Sequence, residues 1–250
     1  MSALILALLA ATNLIPVVTA QGDDYTVWAS VIFARGGERT PVVLGDLPTT
    51  LTSLGANQQF NNGEFFRKRY IGNAVDGTSN GSSAPLKGLA GVKPDPLQLY
   101  VAALDEQWTI ASAQAFMQGL YPPYMLNDSV ARMLDPTGLL ANGTYMDNPL
   151  DNYQYVQIHG SGAFDPEFPY MGGSLNCPAF NAQADEITQT AEFKATQAES
   201  KQIYQAVGPP LLDGVIQDEA WDYYNAYAIY DYLNYRNAHN TTSNALLAEP

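Results

Sequence analysis

The sequence predicts an α/β fold in which helices flank a mainly parallel β-sheet. Two apolar runs, at Val27–Ala34 and Leu97–Ala103, have the length of strands, and segments with helical spacing follow each of them. In the first run apolar residues occupy both strand faces, which is typical of a strand inside a parallel sheet. We therefore expect Val27–Ala34 to be an interior strand, with residues 97–102 beside it. The chain has 250 residues, 46% of them hydrophobic, which suffices for a full core.

Two helices are predicted after these strands. The first runs from about residue 52 to residue 70, with Thr52 as a suitable N-cap. Its end carries Arg67–Arg69, which either complement the helix dipole or contribute to a local positive pocket. The second helix covers Asp105–Pro123, with Asp105 as its cap and Gly119 as its stop signal.

The second half of the chain predicts a short strand and two long helices. The strand is Tyr153–Ile158, and the helices are Asp185–Val207 and Asp218–Asn237. The last helix carries an aromatic stripe, which is more typical of helix packing than of a platform for sugars or bases. The stripe consists of Trp221, Tyr224, Ala228, Tyr232 and Tyr235.

The first predicted strand ends in a loop with two arginines and two glycines, Arg35-Gly36-Gly37-Glu38-Arg39-Thr40-Pro41. Ligands of open α/β sheets bind beyond the carboxyl ends of such strands. Arg35 and Arg39 can direct guanidinium donors at one anion, and the glycines expose backbone N–H groups. We therefore expect a phosphate-type anion to bind here. The alternative is that the arginines form structural ion pairs, for instance with Glu38 or a buried acid.

This motif loop, residues 35–41, resembles the signature of the histidine acid phosphatases of the secreted fungal type, R-H-G-x-R-x-P. Arg35, Gly37, Arg39 and Pro41 match the signature. Gly36 stands where the family has its nucleophilic His. The resemblance therefore extends to the phosphate-binding groups of the loop but not to its nucleophile.

A second stretch, residues 108–123, resembles the same family. The family pattern here is R-T-x-x-S-A-x-x-F-x-x-G-L-Y-P-P, and Trp108 stands where its phosphate-binding Arg lies. The matching positions include Thr109, Ser112, Ala113, Phe116, Gly119, Leu120, Pro122 and Pro123. A second residue of the family's active site is therefore replaced.

The resemblance implies a histidine-phosphatase-like domain that acts on a small phosphorylated molecule or binds inorganic phosphate. In such chemistry a neutral imidazole attacks phosphorus, arginines stabilise the phosphoryl oxygens, and a carboxylic acid protonates the leaving group. Arg35 and Arg39 retain the phosphate-binding part. Because Gly36 has no nucleophilic group, we expect impaired acid phosphatase activity and an imidazole-sized, water-filled void beside Gly36. The alternatives are a non-catalytic binder of phosphorylated ligands and a secreted wall or matrix glycoprotein.

The resemblance also implies the domain organisation. Residues 21–250 are expected to form the domain, with an α/β core at about 25–125 and a loop-rich, helical cap insertion at about 126–250. The family's distal His-Asp pair, which supplies the proton donor, is not visible, and Cys177 has no partner Cys. We therefore expect the chain to be incomplete at its C-terminal end. His239 is expected at the surface, because the sequon of Asn240 follows it directly.

Residues 1–20 have the features of a secretory signal peptide, with a short apolar core and small residues before the cleavage point at Ala20. Mature protein should begin at Gln21. Four Asn-x-Ser/Thr sequons follow, so we expect a secreted glycoprotein, extracellular or in the cell wall, with no membrane anchor after cleavage. The acceptors are Asn80, Asn127, Asn142 and Asn240.

Several classes of function conflict with the composition. The net charge of −14 provides no basic surface for nucleic acid. The two histidines of the sequence, His159 and His239, lie in no metal-binding motif, so we expect neither a metal nor a cofactor. The stretch His159-Gly160-Ser161-Gly162 lacks the G-x-S-x-G spacing of a serine-hydrolase nucleophile. The sequence makes no prediction of the oligomeric state.

Overall fold

The computed structural model describes residues 26–42, 48–72, 84–123, 135–173, 175 and 177–248. These residues form helices and a small parallel sheet. In chain order the elements are α1 (Ser53–Tyr70), β1 (Ala102–Leu104), α2 (Gln107–Leu120), β2 (His159–Ser161), α3 (Phe168–Met171), α4 (Pro178–Gln189), α5 (Ala191–Leu211), α6 (Ala226–His239) and α7 (Thr241–Ala248). Short 3-10 turns lie at Pro136–Gly138, Asp218–Ala220 and Tyr223–Asn225, and Pro149–Asn152 form a single turn with positive φ angles. The predicted signal peptide and the sequons of Asn80 and Asn127 lie outside the described residues.

The sheet consists of β1 and β2, which pair in parallel from Ala102 with His159 to Leu104 with Ser161. This confirms a mixed α/β structure with a small parallel sheet. The predicted strand at residues 97–102 is wrong in its bounds, since strand pairing begins at Ala102 and residues 96–98 form a turn in which the Gln98 N–H donates to the Asp95 carbonyl. The predicted strand at residues 153–158 is likewise wrong, since pairing starts at His159. β2 therefore lies within the region that the sequence assigns to the cap.

The prediction that Val27–Ala34 is an interior strand is wrong. Within the described residues this segment forms a single β-bridge, which pairs Val27 with Leu86 in parallel. The side chains of Trp28, Val31 and Phe33 are 70%, 83% and 89% exposed. The segment is apolar enough for a buried strand, but the described part of the chain provides no neighbouring strands on both sides, and most of its side chains lie at the surface.

Helix α1 follows the sequence prediction closely. The Thr52 side chain accepts a hydrogen bond from the Gly55 N–H at 3.0 Å, which is the geometry of an N-cap. Arg67, Lys68 and Arg69 lie in the last turn, where cations complement the helix dipole. Arg67 also donates to the Leu120 carbonyl at 2.8 Å, which ties the end of α1 to the end of α2.

Helices α1 and α2 cross at two glycines. A Cβ atom on Gly63 would lie 2.0 Å from the Phe116 carbonyl oxygen, and one on Gly119 would lie 2.0 Å from that of Phe60. The backbones can therefore approach this closely only because both positions are Gly. The buried core beneath the crossing consists of Ile71, Met117, Leu120 and Tyr121.

Helix α2 is shorter than predicted. Its N-cap is Glu106 and not Asp105, because the Asp105 N–H instead pairs with the Ser161 carbonyl beyond β1. The helix continues one residue past Gly119, whose role is to permit the close crossing.

The predicted helix at 185–207 is divided between α4 and α5. Thr190 has extended backbone angles, and its side chain caps α5 by accepting from the Phe193 N–H at 3.2 Å. The predicted helix at 218–237 starts with two 3-10 turns and becomes α6 at Ala226. The aromatic stripe is divided as well, since Tyr232 is buried whereas Tyr224 is exposed. A second core lies here, formed by Leu211, Leu212, Ile229 and Tyr232.

None of the described helices combines the length and apolar character of a membrane-spanning segment.

Candidate functional site

The motif loop is held against α1 and α2 by hydrogen bonds to its backbone. Gln59 donates to the Arg35 carbonyl at 2.9 Å, and the Glu38 N–H donates to Gln58 Oε1 at 3.0 Å. From α2, Ser112 Oγ accepts from the Gly37 N–H at 3.0 Å. Gly37 is required at this point, because a Cβ there would lie 2.3 Å from the Gly55 carbonyl oxygen of α1. The loop is therefore fixed although the segment before it is exposed.

Gly36 lies directly against the indole ring of Trp108. A Cβ atom at position 36 would lie 2.2 Å from Trp108 Cζ3 and 2.7 Å from Cε3. The expected water-filled void beside Gly36 is therefore wrong, because the indole occupies that space. The two positions that depart from the resembled family are in contact, and a side chain at position 36 requires the Trp108 ring to move.

Arg39 is engaged within the protein. Its Nη1 atom donates to Asp231 Oδ2 on α6 at 2.9 Å and to the Thr40 carbonyl at 3.1 Å. The side chains of Arg39 and Asp231 are 11% and 19% exposed, and the guanidinium carbon lies 5.2 Å from the centroid of the Trp108 ring. The structural ion pair, which the sequence left open as an alternative, is therefore present for Arg39, with Asp231 as its partner.

Glu38 connects the motif loop to the end of α6. Its carboxylate accepts from the Thr52 hydroxyl and contacts His239 Nε2, with the nearer oxygen at 2.9 Å. Tyr235 packs against the His239 ring, with centroids 4.5 Å apart. His239 is exposed, as the sequence predicts, although it also makes this contact. Sequence reasoning missed this contact, because Glu38 and His239 are 201 positions apart and neither has a pattern that identifies the other.

Arg35 and Gly36 line an open cleft of about 540 Å³, together with Phe33, Phe66 and Phe116. The amide side chains of α1 at Gln58, Gln59 and Asn62 complete its polar lining. Arg39 does not belong to this lining and is directed at Asp231. The structure therefore brings Arg35 and Gly36 together in one cleft and gives Arg39 a different environment.

Neither of the two sequons in the described part of the chain is deeply buried. Asn142 is exposed, and its Oδ1 accepts from the N–H and the hydroxyl of Thr144 at 3.0 and 2.7 Å. Asn240 lies between α6 and α7, and its Oδ1 accepts from the Ser243 N–H at 2.9 Å. These bonds use the side-chain oxygen and leave the nitrogen, the atom that carries an N-glycan, outside them. Whether the acceptors are modified stays a prediction.

Among the described residues no three His, Cys, Asp or Glu side chains are grouped so that they could hold a metal ion. Cys177 is a half-buried free thiol immediately before α4. His159 of the glycine-rich stretch stacks on Tyr100, with centroids 4.7 Å apart, and Ser161 is buried in β2. These residues therefore form no arrangement that competes with the motif loop as the candidate site.

A comparison with models of known protein families matches most of the chain. The family model described as histidine phosphatase superfamily (branch 2) matches residues 39–233, which is more than half of the chain. No curated protein matches the sequence. The matched range starts at Arg39 and includes α1, α2, both strands and Asp231.

Proposed function

Because the chain belongs to branch 2 of the histidine phosphatase superfamily, we propose that it is a secreted acid-phosphatase-type protein in which hydrolysis of phosphate monoesters is impaired. Membership in the superfamily implies a phosphatase-like domain and small phosphorylated molecules as its ligands. The impairment rests on one observation, the indole ring of Trp108 in contact with Gly36.

Position 36 lacks a nucleophile because it is Gly, and it lacks the space for one because the Trp108 ring lies against it. Covalent phosphoryl transfer by a His requires an imidazole nitrogen in line with the phosphorus atom. Gly36 has no such group, and a Cβ at this position would lie 2.2 Å from the Trp108 ring. Loss of a nucleophile costs several orders of magnitude in turnover in enzymes where it has been measured.

The stabilisation of phosphate charge by arginines is also reduced. Two guanidinium groups that share one phosphate would stabilise charge on its oxygens as the transition state forms. Arg39 is neutralised by Asp231 at 2.9 Å, so a phosphate has to compete with a carboxylate of the same chain. Arg35 in the cleft supports the second candidate function, a non-catalytic binder of phosphorylated ligands.

Hydrolysis of para-nitrophenyl phosphate at acidic pH tests the proposal, because its leaving group departs without the help of a proton donor. We expect turnover of the chain far below about 1 per second, the lower end of ordinary enzymes. Gly36→His alone should stay inactive, since Trp108 occupies the space for the imidazole. Gly36→His combined with Trp108→Arg should gain at least about 100-fold over Trp108→Arg alone, which still lacks a nucleophile.

Turnover by the unmodified chain in the ordinary enzymatic range would contradict the proposed impairment. Denaturation at alkaline pH, where a phosphohistidine is stable, after reaction with substrate radiolabelled in its phosphate group supplies an independent readout. A labelled phosphohistidine should form in the double variant and not in the unmodified chain.

Secretion and glycosylation belong to the same proposal. They are supported by the features of residues 1–20 and by the exposed sequon of Asn142. Expression in a eukaryotic secretory host should yield a chain that begins at Gln21 and loses mass on treatment with an N-glycosidase. Thr144→Ala should remove the glycan of Asn142 and leave the other sequons unaffected. An unglycosylated, cell-retained chain that still begins at Met1 would contradict this part.

A further inference from the structure

The cleft beside the motif loop has aromatic walls. Phe66 of α1 and Phe116 of α2 have ring centroids 5.7 Å apart, and both pack against the buried core under the helix crossing. Their positions are therefore fixed by the fold. Phe33, which comes from the segment before the motif loop, also lines the cleft and is 89% exposed. The volume of about 540 Å³ lies within the range of cavities that hold small organic ligands.

The polar side chains of the cleft include one cation and several amides. Arg35 is the one charged residue of the lining, and its guanidinium makes no hydrogen bond or ion pair within the described part of the chain. The Gln58 oxygen is occupied by the Glu38 N–H, which leaves the Gln58 NH₂ group as a donor. Asn62 lies one helical turn further along α1 and has no hydrogen-bond partner among the described residues. The cleft therefore combines one cation and three amide side chains with an aromatic surface, and two of the amides, Gln58 and Asn62, have an NH₂ group free to donate.

This combination differs from a clamp for inorganic phosphate. A single guanidinium can bind two oxygens of one carboxylate or phosphate group, but the second guanidinium of the motif loop is held by Asp231. A bare phosphate would leave the phenyl rings of the cleft in contact with water. An aromatic body would cover these rings and would gain both apolar burial and ring–ring contacts.

We propose that the cleft binds a small, flat aromatic molecule that carries a single anionic group, a carboxylate or a phosphate monoester. The anionic group lies on Arg35, with the Gln58 and Asn62 amides as further donors. The aromatic body lies between Phe33 and the Phe66–Phe116 wall. The inference rests on the proposed function in one respect, namely that a phosphorylated ligand is held in the cleft and not hydrolysed.

Isothermal titration with four probes tests this assignment. Naphthoate and naphthyl phosphate carry both the ring and the charge, naphthol lacks the charge, and inorganic phosphate lacks the ring. We expect naphthoate and naphthyl phosphate to bind at least about tenfold more tightly than naphthol or inorganic phosphate. Naphthol loses the contribution of the charge, and inorganic phosphate loses the contribution of the ring. Equal affinity for inorganic phosphate and naphthyl phosphate, or absence of binding by both naphthoate and naphthyl phosphate, would overturn the proposal.

Three variants locate the site. Arg35→Gln should weaken naphthoate at least about tenfold and leave naphthol unchanged, because it removes only the charge-assisted hydrogen bonds. Phe33→Ser should weaken naphthoate and naphthol by similar factors. Lys68→Gln, which removes an exposed cation of α1 outside the cleft, is the matched control and should change neither. Since Arg35 and Phe33 are exposed, both variants should fold, which circular dichroism checks. Unchanged naphthoate affinity in Arg35→Gln would overturn the assignment.

Release of phosphate from naphthyl phosphate is measured in the same samples. If the ester binds through Arg35 and Phe33 but is turned over at an ordinary enzymatic rate, the proposed impairment fails and the ligand class stands. If no phosphate is released and neither naphthyl probe binds, the ligand class fails and the impairment stands.

Discussion

The α1–α2 pair and the segment before the motif loop are both rich in apolar residues, yet they have opposite fates. In the helix pair Met117 and Leu120 are buried, whereas Val31 and Phe33 of the segment are 83% and 89% exposed. A helix satisfies its backbone hydrogen bonds internally and needs one neighbour to cover its apolar face. A strand needs the backbone of neighbours, and the segment has a single bridge at Val27 within the described residues. An apolar pattern therefore predicts burial only where the partner surface is also present.

The largest effect is expected at the helix crossing. Gly119→Ala should lower the free energy of unfolding by about 3 kcal/mol, because its Cβ would lie 2.0 Å from the Phe60 carbonyl oxygen and would force the helices apart. Urea unfolding measures the change. Gly162→Ala, whose Cβ would meet its nearest atom at 3.6 Å, is the control and should stay within about 0.5 kcal/mol. A loss below about 1 kcal/mol for Gly119→Ala would show that the crossing is not closely packed.

The next effect is a loss of stability at alkaline pH, which we expect from the packed helix pair and not from the exposed segment. Burial raises the pKa of Tyr121 to about 12 from its usual value of 10.0, although the nearby Arg67 acts in the opposite direction. Because the neutral phenol is favoured in the folded state, the stabilisation is fully present below about pH 10 and is lost as the pH rises towards 12. The loss should reach about 2 kcal/mol in urea unfolding at alkaline pH.

Tyr121→Phe is the test of this assignment. The variant loses the hydrogen bond from the Tyr121 hydroxyl to the Ala90 carbonyl, 2.8 Å long, and should be less stable by about 1 kcal/mol at neutral pH. It should also lack the alkaline loss that Tyr121 causes. Tyr100→Phe, at an exposed ring before β1, should retain that loss. An alkaline profile unchanged by Tyr121→Phe would assign the effect to another group.

The motif loop lies between the two regions and joins them to α6 through Arg39 and Asp231. Asp231→Asn should lower the free energy of unfolding by about 1 kcal/mol, because it leaves the mostly buried guanidinium without its carboxylate. A double-mutant cycle with Arg39→Gln isolates the pair and should show a coupling of similar size. Asp231→Asn should also increase the affinity for inorganic phosphate in a titration, since Arg39 is released. A coupling near zero would mean that the contact does not hold the loop.

The smallest effect is expected in the exposed segment. Val31→Ser and Phe33→Ser should each change the free energy of unfolding by less than about 0.5 kcal/mol, because both side chains are already in water. Met117→Ala in the helix pair is the matched contrast and should cost at least about 2 kcal/mol. A large loss for Phe33→Ser, measured by urea unfolding, would show that the segment is covered in solution.

The candidate site was predicted from the sequence in its components but not in its arrangement. The residues of the motif loop and the N-cap at Thr52 follow from local patterns, and the N-cap is confirmed by the bond to Gly55. Phosphate binding by Arg35 and Arg39 stays a prediction. The indole beside Gly36 was missed, because position 108 was judged only as the loss of an Arg. The sequence nevertheless contained a signal for this contact. Gly36 and Trp108 both replace residues of the family's phosphate site, and a large ring can fill the space that the missing His and Arg side chains leave.

The amino-acid sequence by itself determined the elements whose hydrogen bonds are local, such as α1 and α2, and the chemical groups that the motif loop carries. Only the tertiary structure decided that Trp108 fills the space at Gly36, that Asp231 neutralises Arg39 and that His239 contacts Glu38. The physical reason is the range of the interactions. Capping and helical periodicity act within a few residues, so a linear pattern contains them. Contacts between residues as far apart as positions 39 and 231 depend on how the helices pack, which no local pattern specifies.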